Sequence, residues 1–218
     1  MDKKTDRSRL SRTALVLMTV FSFSGLAVLF TEKFPNLASV TLIIGIVFYF
    51  VARDPEEKTG MSLKAAAQCL KDWKTDVLLL MPLLMVALDY GMAKLLLPAY
   101  LEHLMERIDF LSFSAVLLLL VELVVAALGE EIAWRGFFLN KLSKSFPFPL
   151  ALLASACLFS MCHFTVDSPV VVLYDLLFIV IDAVFYGFLY KRTNNVLVCT
   201  LSHFLANLFG VFALLLVI

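Results

Sequence analysis

"VLLLLVELVVAALGEEIAWRGFF", residues 116–138, begins as a lipid-compatible helix and then places Glu130, Glu131 and Arg135 inside the same apolar run. A helix crossing the ~30 Å hydrocarbon layer of a bilayer needs about 20 largely apolar residues, and this stretch is long enough. An ionisable side chain at that depth costs about 2.5–3.5 kcal/mol on insertion scales, so three of them need partners or a task. The stretch therefore yields two expectations at once: a membrane-embedded helix, and a polar site within it.

The rest of the chain has the same character. Of 218 residues, 61% are hydrophobic and only 17% charged, with 20 Phe against 8 Gly and 7 Pro, a composition of the membrane class. The helix template gives seven spans, at about 13–31, 36–52, 76–98, 111–142, 147–164, 169–190 and 195–218, so the expected fold is an all-α polytopic membrane protein. Residues 1–109 form its N-terminal part and 110–218 its functional core, within one integral membrane domain. The first run is longer than a signal-peptide core and no small-x-small cleavage site follows it, so a retained anchor is expected. A formal net charge of zero leaves no electrostatic footprint for nucleic acid; the bilayer is the partner that composition implies. Oligomeric state has no signal.

The Lys/Arg residues test the span pattern, because positive charge is retained on the cytoplasmic side. The N-terminus and the second, fourth and sixth connections, with the span ends adjoining them, hold 15 of the 18; the other side holds only Lys33, Lys94 and Arg107. A cytoplasmic N-terminus follows. Two segments suit helices lying at the interface: 61–75, with Leu63, Ala66, Ala67, Leu70 and Trp73 on one stripe, and the acidic 97–110 on the outer side. His103 there is expected to be solvated. Cys69, Cys157, Cys162 and Cys199 show no CxxC spacing and read as buried small hydrophobes.

Ionisable residues inside the spans are Glu122, Glu130, Glu131, Arg135, His163, Asp175, Asp182 and His203, with Asp89 nearer an end. Glu131 and Arg135 are four apart, hence on one helical face and ready to pair, which makes Glu131 the orienting carboxylate. Glu130 points about 100° away and is the candidate base. Glu130 and His163 lie equally far from a hairpin turn at residues 146 and 147, so they share a depth. Phe159, one turn before His163, can wall its ring. His203 and Asn207, one turn apart on the last span, lie ~12 and ~18 Å from its start at 1.5 Å per residue.

This set suits hydrolysis: Glu130 and His163 to hold a water and take its proton, His203 and Asn207 to donate to the oxyanion of a tetrahedral intermediate. Zinc is the competing arrangement, since glutamate and histidine are acceptable ligands; the HExxH spacing is missing, however, and Arg135 beside the carboxylates disfavours a dication. No cofactor is otherwise indicated. Asp175 and Asp182, seven apart on one face, cannot oppose each other as an aspartyl dyad; pairing with a neighbour's hydroxyl or backbone is expected, with Asp182 as a second candidate support for the site.

"EEIAWR" (130–135), "FSMCH" (159–163) and "HFLAN" (203–207) together resemble the EExxxR, FxxxH and HxxxN motifs of the CPBP family of intramembrane proteases, which includes type II CAAX prenyl endopeptidases and bacterial Abi proteins. The likeness covers about residues 110–210. It implies water activation at Glu130 and His163, an oxyanion hole at His203 and Asn207, support from Glu131 and Arg135, a membrane-associated peptide or protein substrate, and a bacterial plasma membrane. The family is often labelled metalloprotease, while a metal-free glutamate mechanism has also been advanced for it. Two other classes compete: a non-catalytic immunity or regulatory protein of the Abi type, and a proton-coupled transporter, for which paired broken helices are missing.

Overall fold

Apolar runs become helices throughout: in the computed structural model, which describes residues 3–31, 37–53, 60–108 and 116–217, no strand occurs among the described residues. The order is α1 (Lys3–Ser22) with a 3-10 turn (Ser24–Leu29), α2 (Ala38–Val51), α3 (Leu63–Cys69), α4 (Trp73–Leu96), α5 (Pro98–Ile108), α6 (Val116–Glu131), a π-helix (Ile132–Leu139), α7 (Asn140–Leu142), α8 (Phe148–Met161), α9 (Pro169–Thr193) and α10 (Val196–Val217). Leu80, Leu84 and Leu88 form an exposed stripe along α4 and Val170, Leu173 and Leu177 one along α9, as expected of surfaces solvated by lipid.

Among the described residues four helices, rather than the seven expected spans, are long and apolar enough to cross a membrane: Thr5–Leu29, Trp73–Leu96, Pro169–Thr193 and Val196–Leu216. The reason is length. Helices α2 and α8 have 14 residues each, ~21 Å at 1.5 Å per residue, against a ~30 Å hydrocarbon layer. The expected span 111–142 is interrupted, since α6 gives way after Glu131 to eight residues of π-helix. Residues 109–115 lie outside the described residues. The interfacial helix over 61–75 is also shorter than its stripe suggested: Ser62 caps α3 by accepting from the Ala65 amide, α3 stops at Cys69, and Trp73 opens α4 with Asp72 as its cap.

The π-helix is the centre of the core, with all eight of its residues buried. It is pressed against α2 at two points, and a glycine makes each possible. A Cβ on Gly45 would lie 2.5 Å from the Ala133 Cβ, and one on Gly136 would lie 2.8 Å from the Tyr49 ring. Helices α4, α9 and α10 pack against one another beside it. The α9–α10 turn is two residues long. Asn194 adopts the left-handed conformation at φ 46 that ends α9, and Asn195 caps α10, its Oδ1 accepting from the amides of Leu197 (2.9 Å) and Val198 (3.3 Å).

Polar contacts tie the connections into two faces. On one, Arg192 pairs with Asp72 and holds its carboxyl below the usual carboxylate range, while the Asn195 Nδ2 donates to the Ser62 carbonyl at 3.0 Å. On the other, His103 is buried rather than solvated: its Nδ1 is 2.7 Å from Asp167 Oδ2 and its Nε2 is 3.1 Å from Thr165 Oγ1. The Ser168 amide and then His103 hold the Asp167 carboxyl low. The second and sixth connections thus meet, as do the third and fifth. The cysteines are free, but only Cys199 is buried; Cys157 is exposed, because α8 turns that face outward.

Candidate active site

Glu131 is completely buried, and two donors from different helices converge on its Oε1. Arg135 Nη1 donates across one turn at 3.1 Å, and His203 Nδ1, from α10, lies at 2.9 Å. Arg135 is held in turn by the Ala183 carbonyl at 3.2 Å and by two rings, its guanidinium carbon 4.7 Å from the Phe159 centroid and 5.1 Å from that of Tyr186. An arginine so enclosed is fixed in place. Tyr186 also stacks on the His203 ring, with centroids 4.7 Å apart and planes 21° from parallel.

The protons of His203 follow from these neighbours. A carboxylate only accepts, so Nδ1 carries hydrogen toward Glu131, and Nε2 faces the Glu130 Oε2 at 3.7 Å. His203 is thus bracketed by two glutamates. His163 has the opposite polarity: its Nδ1 lies 3.0 Å from the Phe159 carbonyl, which can only accept, so the neutral ring presents the Nε2 lone pair. Its ring meets that of Phe159 edge-on, with centroids 4.7 Å apart, as the one-turn spacing implied.

Glu130, His163, His203 and Asn207 all line one cavity of about 410 Å³. The equal-depth argument for Glu130 and His163 therefore gave the right neighbourhood. A second cavity, of about 140 Å³ and walled by Ala38, Leu42, Trp134 and Phe159, also reaches Glu130 and His163. These two residues stand where the cavities adjoin. Glu131 and Arg135 do not face the large cavity; they act from behind it.

Several neighbours escaped the sequence reading. Tyr186 and His203 stand equally far from the Asn194–Asn195 turn, as do Asp182 and Asn207, so applying the hairpin rule to this second turn would have found both pairs. No such rule was available for the cluster at the far end of the large cavity. There Tyr100, in α5, hydrogen-bonds Asp89 Oδ2 (3.1 Å) and Asp175 Oδ1 (3.3 Å), and Arg107 Nη1 reaches both oxygens of Asp175 at 2.6 and 2.8 Å. The hydroxyl expected for Asp175 is thus supplied by Tyr100. Its arginine came from a segment read as merely interfacial.

The donor set does not favour zinc. Glu131 is committed to Arg135 and His203, and among the described residues no three His, Cys, Asp or Glu side chains are grouped to hold a metal ion. A guanidinium bonded to the neighbouring carboxylate adds repulsion.

Residues 112–209 match the family model described as Type II CAAX prenyl endopeptidase Rce1-like. The matched stretch carries Glu130, Glu131, Arg135, His163, His203 and Asn207, together with α6, the π-helix, α8 and α9. No curated protein and no solved structure matches the chain.

Proposed function

We propose, on the premise that residues 112–209 are a type II CAAX prenyl endopeptidase-like core, that the protein is an intramembrane endopeptidase cutting membrane-associated peptides or proteins. Glu130 takes a proton from water while His163, through its Nε2 lone pair, helps hold it; the water oxygen attacks the scissile carbonyl carbon. The resulting oxyanion accepts from the Asn207 amide and from His203 Nε2. Collapse breaks the C–N bond, and the proton held by Glu130 passes to the leaving amine. The N-terminus and the Asp72–Arg192 face are cytoplasmic on this reading, and the membrane is a bacterial plasma membrane.

The single observation that carries the mechanism is the placement of His203 between Glu130 and Glu131. With Nδ1 hydrogen-bonded to Glu131, Nε2 donates to an oxyanion as part of an imidazolium ring. A separation of 3.7 Å between Glu130 and His203 supports this reading, because the two oxygens of one tetrahedral centre, the former water oxygen and the oxyanion, fit side by side against the two groups.

The test is Glu130→Gln in nanodiscs. Loss of a general base lowers turnover by about 10²–10⁴, with the thermal midpoint unchanged because Glu130 is partly exposed to the cavity. Proteomics of membrane peptides in cells carrying the two forms identifies the uncut substrate. Retention of the cellular phenotype by Glu130→Gln would instead place the protein among non-catalytic immunity factors. Activity is expected to survive dialysis against EDTA and 1,10-phenanthroline; loss that zinc restores would replace this mechanism.

A further inference from the structure

The large cavity is chemically lopsided. Five carboxylates line it, those of Asp89, Glu122, Glu130, Asp175 and Asp182, against one arginine, Arg107, and the two histidines His163 and His203. Arg107 is spent on Asp175, and His203 lies between the glutamates. Among the fully buried carboxylate oxygens of the described residues that line it, Asp89 Oδ1 and Asp182 Oδ1 have no donor. Asp89 is only 5% exposed. A buried carboxylate oxygen without a donor is costly, and it is tolerated where an incoming group supplies the hydrogen.

The positions of these two aspartates give the missing group its place. Asp182 lines the cavity together with His203 and Asn207 and lies within reach of the Asp89 charge, while Asp89 in turn touches Tyr100 of the Tyr100–Arg107–Asp175 cluster. Asp89, Tyr100 and Arg107 lie in α4 and α5, outside the family-matched residues 112–209, while Asp175 lies within them.

We propose that this cavity selects substrates carrying a cationic nitrogen, a lysine or arginine side chain or a free N-terminal ammonium, within a few residues of the cut bond, with Asp182 and Asp89 as its acceptors. This rests on the endopeptidase reading for its term "cut bond" but not for its binding chemistry. An ammonium presents three donors and a guanidinium five, enough to satisfy both orphaned oxygens, and in a lipid-shielded cavity such charge-assisted bonds are strong. The second cavity, walled mainly by Ala38, Leu42, Trp134 and Phe159, receives the apolar residues on the other side of the bond.

The probes are three acylated, fluorescent peptides of one apolar sequence: N-acetylated with one Lys, N-acetylated with norleucine at the same position, and norleucine with a free N-terminus. Binding is measured to the full-length Glu130→Gln protein in nanodiscs, so that failure of cleavage and failure of selection are seen separately. The Lys peptide is expected to bind about tenfold more tightly than its acetylated norleucine counterpart, the lower end of what a charge-assisted hydrogen bond supplies. The third peptide tells whether an N-terminal ammonium serves equally. Asp182→Asn and Asp89→Asn are each expected to shrink the Lys preference without weakening the acetylated norleucine peptide. Equal binding of all three, or a preference that both Asn variants keep, would overturn the proposal and mean that the two carboxyls carry their own protons.

Discussion

Glu131 shows how much one residue can be asked to do: a single buried oxygen accepts from both Arg135 and His203. Removing a partner from such a cluster strands a charge, which typically costs about 3–5 kcal/mol. Arg135→Ala is therefore expected to lower the thermal midpoint in detergent steeply, and Arg135→Lys to rescue little, because an ammonium has neither the planar fork nor the stacking face that Phe159 and Tyr186 enclose. Glu131→Gln removes the carboxylate that pairs the buried Arg135, so the thermal midpoint falls here too, and in the protein that remains folded turnover falls about 10²-fold with KM little moved. The Glu131–Arg135 pair was legible from its spacing of four. The His203–Glu131 bond was not, since no periodicity relates α6 to α10, and the sequence reading had given His203 to the oxyanion without asking what would hold its other nitrogen.

The element that eluded sequence reasoning is the π-helix. Nothing in "IAWRGFFL" distinguishes i→i+5 bonding from an ordinary apolar helix, because the difference lies in the backbone and not in composition. What the residues do display is the consequence: Ala133 and Gly136 at the contact with α2, and bulky Trp134, Phe137 and Phe138 between them and beyond. Gly45→Ala places a methyl 2.5 Å from the Ala133 Cβ and 2.8 Å from its Cα, so relief requires movement of helix backbone. The expected loss is about 1–3 kcal/mol, read as a lowered thermal midpoint and a weakened turnover as Glu130 shifts. Gly187→Ala makes a nominally closer contact, 2.1 Å to Leu152 Cδ1, yet should be milder, since only a side-chain tip must turn away. A larger loss for Gly187→Ala would show that α2 is not a rigid wall.

At the scale of the molecule, the charge census and the hairpin geometry were the readable parts. Lys/Arg asymmetry paired the connections in the way that the Asp72–Arg192 and His103–Asp167 contacts do, even though α2 and α8 proved too short to count as full spans. In a cysteine-free background, Lys71→Cys and Lys191→Cys are expected to react with an impermeant maleimide from the same side of the membrane, and Val166→Cys from the opposite one. Labelling of residues 71 and 166 from one side would be incompatible with this packing. The contribution of α4 and α5 to the large cavity was not legible, because the residues that matter there, Asp89, Tyr100 and Arg107, are scattered through segments with no motif of their own.

Glu130 and His163 border both cavities, so on the endopeptidase reading proposed above a peptide bound beside them would lay one arm in each chamber. The free energy of hydrolysis in water would set the direction of such a reaction; the two chambers give the two arms separate surroundings.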